Sequence, residues 1–117
     1  MPETQSELQT SFSTADTDGP LSVNFSGETL SITFTYFKGL ARTVVFHQTR
    51  EFSWTDWQHA PANTKWDSIY EVTGSALLST YTGFAAEGRP FRHFRLGFNA
   101  QGKFLDVIAT EMELQKN

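Results

Sequence analysis

The chain has 117 residues, with nine Lys plus Arg against thirteen Asp plus Glu, a net charge of −4, and no cysteine. That length suits one core, the acidic balance repels a phosphate backbone, and the missing thiols exclude a disulfide framework and a thiolate zinc site. The apolar content is weighted to eleven Phe, three Trp and three Tyr, bulky side chains that suit pleated sheets.

Residues 1–18 are rich in Ser, Thr, Asp, Glu and Gln, with only Leu8 and Phe12 as apolar anchors. Such a segment does not offset the entropy of its own ordering, so it reads as a mobile polar tail ahead of a single β-rich domain over residues 19–117. It has no basic start and no apolar run, and no stretch of the chain has the apolar length that spans a bilayer. The expectation is a soluble cytoplasmic protein with no membrane contact.

Beyond Gly19-Pro20, Leu21, Val23 and Phe25 alternate with polar residues, Ser26-Gly27-Glu28 interrupts, and Leu30, Ile32, Phe34 and Tyr36 resume the alternation. This is a hairpin with one buried face. Lys38-Gly39 reverses the chain into a third strand over Ala41 to His47, carried by Val44, Val45 and Phe46. The EFSW run at 51–54 is either a short fourth strand or a continuation of the third after a bend. Residues 55–68 hold Trp57 and Trp66 together with Pro61 and Asn63 and have no sustained period, which is loop chemistry around large apolar side chains.

Ile69 to Val72 favours a strand, and Ser75 offers an N-cap to a short helix from Ala76 onward. Leu77, Leu78, Tyr81 and Phe84 would seat that helix on the sheet. Gly88 and Pro90 end it. The terminal hairpin spans residues 92–114 around Asn99-Ala100-Gln101-Gly102, with Gly102 supplying a positive φ. Its first strand puts Phe94, Leu96 and Phe98 on one face and His93, Arg95 and Gly97 on the other. Its second sets Leu105, Val107 and Ala109 opposite Phe104, Asp106 and Ile108, the mark of a central strand partly covered by the helix. The predicted fold is predominantly β (α+β), an antiparallel, curved or half-closed sheet of five to seven strands with one short packed helix.

Chemistry-bearing motifs are sparse. His47, His59 and His93 lack the spacing of a ligand pair, and no metal or other cofactor is expected. There is no nucleophile elbow and no glycine-rich phosphate loop, and Asp56, Asp67, Glu71 and Asp106 read as solvated acids more readily than as a paired acid and base, so no catalytic residue is assigned and the chain reads as a non-enzyme. Arg89, Arg92, His93 and Arg95, interleaved with Phe91 and Phe94, have the look of a single-strand nucleic-acid surface, but pairing with Asp106, Glu111 and Glu113 on the next strand is the simpler expectation. Nucleic acid is not an expected partner.

The belt from Phe52 to Glu71 is the candidate site. Trp54, Trp57, Trp66 and Tyr70 supply large anchors, and Asp56, Asp67 and Glu71 supply a negative field, the mixture that protein interfaces use. The same tryptophans would equally plug the open end of the sheet. IYEV at 69–72, Ser75 opening a short apolar helix, RHFRLGFN at 92–99, a turn, and LDVIA at 105–109 together resemble a pattern of small bacterial proteins, some of them immunity proteins encoded beside polymorphic toxins. That resemblance, over residues 69–110, implies a toxin inhibitor that works by protein binding and occlusion. The belt would then dock on a basic toxin domain. The alternative is a small-molecule carrier, its cavity lined by Phe34, Phe46, Phe94 and Phe98 and closed by the Trp-bearing loop.

Overall fold

The computed structural model describes residues 3–8, 14, 18–35, 39–61, 64–65, 68–81, 83–98 and 101–116. In chain order these form β1 (Thr4–Leu8), β2 (Asp18–Ser26), β3 (Thr29–Thr35), β4 (Ala41–His47), β5 (Glu51–Asp56), a 3-10 turn (Trp57–His59), β6 (Ile69–Thr73), α1 (Ala76–Ser79), β7 (Ala85–Ala86), β8 (Arg89–Pro90), β9 (Arg92–Phe98), β10 (Lys103–Ala109) and β11 (Glu111–Lys116). All strand pairs are antiparallel. A five-stranded sheet runs β1-β6-β9-β10-β5, a four-stranded sheet runs β11-β4-β3-β2, and β7-β8 form a small ribbon. The predominantly β, antiparallel and incompletely closed fold is the one the alternation implies.

The strand count exceeds the expected five to seven because β1 forms in the stretch read as a tail, β7 and β8 add a two-residue ribbon, and two long ribbons bend. Residues 41–56 and 103–116 run side by side, β4 against β11 and β5 against β10, and change sheets together. At the corner the Thr110 amide donates to the His47 carbonyl (3.0 Å) and the Arg50 amide to the Ile108 carbonyl (2.8 Å), so the backbone stays paired through the bend. Gln48 absorbs the turn at φ 47. Strands that switch sheets at such bends are how two layers come to share one chain ribbon.

One apolar core lies between the sheets. Leu30, Ile32 and Phe34 of β3 and Val44 and Phe46 of β4 meet Ile69 of β6, Phe94, Leu96 and Phe98 of β9 and Leu105, Val107 and Ala109 of β10. The faces of β9 and β10 assigned from alternation are thus the faces observed. The other face of the five-stranded sheet carries a smaller cluster in which Ile108 packs with Ala86 and Phe91 and with Leu77, Leu78 and Tyr81 from the α1 segment. Ser75 caps α1 as expected, its Oγ accepting the Leu78 amide at 3.0 Å.

Two expectations fail. Thr4–Leu8, inside the stretch read as a tail, is an edge strand, because β6 offers a free ladder and polar partners that composition alone does not reveal. Phe12 and Tyr36 lie outside the described residues. Phe84 does not seat on the sheet but is 65% exposed: α1 ends at Ser79, and Gly83 at φ 88 turns the chain before a helical face reaches it.

Candidate functional site

Among the described residues the belt is divided between the two faces of the sheet by alternation along β5. Trp54 lies in register with Leu105, which pairs with Leu96, which pairs with Ile69, so all four side chains point to the inner face. The Trp54 ring lies 5.9 Å from that of Phe98. Trp57 follows β5 and meets Phe104, on the opposite face, edge-on at 6.2 Å. Tyr70 is buried, its hydroxyl accepting the Lys65 amide at 2.8 Å. Trp66 and Asp67 lie outside the described residues.

The two described acids of the belt, Asp56 and Glu71, have separate cationic partners. Asp56 is exposed and accepts from Lys103 Nζ at 2.9 Å, a hydrogen bond that holds its pKa below the ordinary aspartate value. Glu71 accepts two bonds from Arg92, Nε at 2.9 Å and Nη2 at 2.6 Å. The Arg92 guanidinium lies 4.8 Å from the centre of the Phe94 ring, so the pair caps the rim of the core. These bonds lower the Glu71 pKa, against a smaller opposing effect of burial. A carboxylate with a lowered folded pKa contributes stability above its unfolded pKa and loses it as pH falls through the folded value. Glu71→Gln is therefore expected to lower stability by about 1 kcal/mol at neutral pH, a figure reduced for the partial exposure of Arg92, with the difference closing below about pH 4. Urea midpoints measured against pH check this; a gap that stays constant into acid would contradict it.

The inner side of the fold gapes where the edge strands β2 and β5 face one another. Phe25 and Phe52 touch at 5.5 Å between ring centres. Further along, a cavity of about 460 Å³ lies between Leu21 and Trp54, bordered by Gln101 and Lys103. Val23 and Phe25 pair with Ile32 and Leu30, both core residues, and so face inward, yet they remain 43% and 47% exposed. The four phenylalanines expected to line a carrier cavity instead fill the core: Phe34 packs on Phe98 at 5.8 Å and Phe46 on Phe94 at 5.7 Å. The open volume lies beside them, at the edge.

The outer face holds a buried polar chain. His93 Nε2 donates to Asp106 Oδ1 at 2.6 Å, and Arg95 Nε donates to the same oxygen at 2.8 Å. Arg95 Nη1 continues to Glu3 Oε2 at 2.9 Å and Gln5 Oε1 at 3.0 Å. Burial disfavours the charge on Arg95, but the bond to Glu3 and the charge of Asp106 outweigh it and raise its pKa further. Ser75 Oγ lies 2.8 Å from His93 Nδ1, which places serine, histidine and aspartate in one row. The row anchors α1: Ser75 is buried, its Oγ accepts the Leu78 amide at the helix N-cap, and the same oxygen meets Nδ1 of the ring. Ser75 as a cap and Arg95 opposite Asp106 were both legible in the sequence; their fusion through His93 was not, since alternation assigned His93 and Arg95 only to a second face without showing it covered.

The basic cluster is neutralised. Arg95 pairs with Asp106 across the β9-β10 ladder as expected; Arg89 meets Glu111 at 2.5 Å from a separate ribbon, Arg92 turns to Glu71 and Glu113 accepts from Gln115. Among the described residues no group of three or more His, Cys, Asp or Glu is arranged to hold a metal, and no helix is long and apolar enough to cross a membrane.

These features define an antiparallel two-layer β protein, gaping along one side, with a polar seam on its outer face. No known protein family, curated protein or solved structure matches the chain.

Proposed function

We propose that this chain is a non-enzymatic protein-binding domain of the cytoplasm, and that the gap between β2 and β5 receives the partner. The observation that carries this reading is the exposure of Val23 and Phe25 on a face of β2 turned toward the opposite sheet. Apolar side chains in that position, next to Trp54, form the kind of patch that another protein covers. Both strands at the gap are sheet edges, so an extended segment of the partner has backbone groups to pair with as well as rings to cover. The chain's net charge of −4 favours a basic partner by steering its approach. A bacterial immunity-type inhibitor occluding a basic toxin domain fits this chemistry, with Trp54 as an anchor and Asp56 at the rim.

The test is a pull-down with the full chain from its source cell, followed by calorimetric titration of the chain against the basic protein domain captured. Phe25→Asp changes a half-exposed side chain, so the fold is expected to survive while affinity falls by about tenfold or more. A folded variant with unchanged affinity overturns the placement.

A second reading, a small-molecule carrier, draws on the volume of about 460 Å³ beside Leu21 and Trp54, which is large enough for a small ligand. A ligand mass retained in native mass spectrometry, lost together with the Trp54 fluorescence change in Leu21→Glu, would favour it over the protein partner.

A further inference from the structure

The strand β1 sits on the five-stranded sheet in an unusual manner. Of its five residues only Leu8 is apolar, and Leu8 is only partly buried against the core. The strand is held instead by its ladder to β6, from Thr4 opposite Thr73 to Leu8 opposite Ile69, and by polar side chains at alternate positions. Glu3 and Gln5 both accept from Arg95. The Gln5 amide also donates to Thr64 Oγ1 at 2.8 Å. Glu7 accepts from Lys65 Nζ at 3.2 Å and from Ser68 Oγ at 2.9 Å, bonds that hold its pKa below the ordinary glutamate value.

The donors to Glu3, Gln5 and Glu7, which are Arg95, Lys65 and Ser68, belong to the body of the fold. Arg95 is only 6% exposed and is fixed by its own bond to Asp106, independent of β1. The edge of β6 therefore presents a ladder of backbone groups flanked by donors on Arg95, Ser68 and Lys65, spaced to meet acceptors at positions i, i+2 and i+4 of an extended segment, with the Thr64 hydroxyl accepting from the central amide. Period-two alternation is the spacing at which a strand shows one face.

We infer that the edge of β6 is an acceptor site for an extended acidic segment of another polypeptide, of the pattern Glu-x-Gln-x-Glu, and that β1 occupies it in cis. An edge strand with little apolar burial, paired along one side only and held by five polar side-chain bonds, belongs to the less stable part of a fold and opens locally without global unfolding. An incoming segment of the same pattern recovers the same ladder and the same charge-assisted bonds, which is recognition by strand addition. This site lies on the opposite edge of the five-stranded sheet from β5, so it is separate from the gap proposed for the toxin.

The probe is a fluorescent peptide copying residues 2–9, titrated by anisotropy into the full-length chain and into a full-length Glu3→Lys/Glu7→Lys variant whose own strand is weakened. The peptide is expected to bind the variant about tenfold more tightly than the wild type, to weaken with added salt, and to lose most of its affinity when its two glutamates are replaced by glutamine. Hydrogen exchange on the wild-type chain provides a reading that does not depend on the variant folding: the amides of residues 4–8 should exchange far faster than those of β9. Amides of β1 as protected as those of β9, or a folded variant that ignores the peptide or binds it regardless of its glutamates, overturns the inference. Phe25→Asp should leave peptide binding unchanged, so failure at one edge is distinguishable from failure at the other.

Discussion

Asp106→Ala is expected to destabilise the protein by about 3–5 kcal/mol, because it removes one partner of a buried charge pair and leaves the other behind. Asp106 Oδ1 is the common acceptor for Arg95 Nε and His93 Nε2, and all three side chains are almost wholly buried. Without it the guanidinium keeps its bonds to Glu3 and Gln5 but loses its counter-charge inside the sheet, and the imidazole N–H has no acceptor. Asp106→Asn keeps an oxygen in place and should recover part of the loss. Urea unfolding at neutral pH measures both, and a loss below about 1 kcal/mol for the alanine variant would mean that this seam contributes little to holding the sheet.

Phe94→Ala is expected to cost a similar amount, about 3–5 kcal/mol, through an unrelated cause: the cavity left in a close-packed core. The Phe94 ring is sealed between the sheets against Phe46 and carries the Arg92 guanidinium on its rim. Its loss therefore loosens the contact between layers and the seating of the Arg92 to Glu71 pair together. Phe84→Ala, at a largely exposed ring, should change stability by no more than about 0.5 kcal/mol. Thermal and urea transitions of the two variants form the comparison; equal effects would contradict the division of the described phenylalanines into core and surface.

Much of the layer arrangement was legible in the chain because period-two alternation is a local property. Phe94, Leu96 and Phe98 against His93 and Arg95, or Leu105 and Val107 against Asp106 and Ile108, announce their two faces without any knowledge of what covers them. The N-cap at Ser75 is equally local, since a serine oxygen three residues before an amide needs no distant partner. The belt from Phe52 to Glu71 was less legible. Large aromatics and acids were visible as a composition, but whether they share a surface depends on which strand each residue sits on and on that strand's place in the sheet. Trp54 and Trp57 go to opposite faces, Tyr70 goes under the Lys65 backbone, and Glu71 turns to Arg92 at the core rim.

The amino-acid order by itself determined the class of fold, the inward faces of the long strands and the helix cap, because each follows from neighbours within a few residues. Tertiary structure alone decided that Thr4–Leu8 becomes a strand, that two ribbons bend between sheets at Gln48 and Thr110, and that the inward face of β2 is left partly uncovered. The physical reason is common to all three. Each depends on pairing between segments far apart in the chain, Arg95 with Glu3, Thr110 with His47 and Phe25 with Phe52, and contacts of that range leave no periodic mark on the sequence.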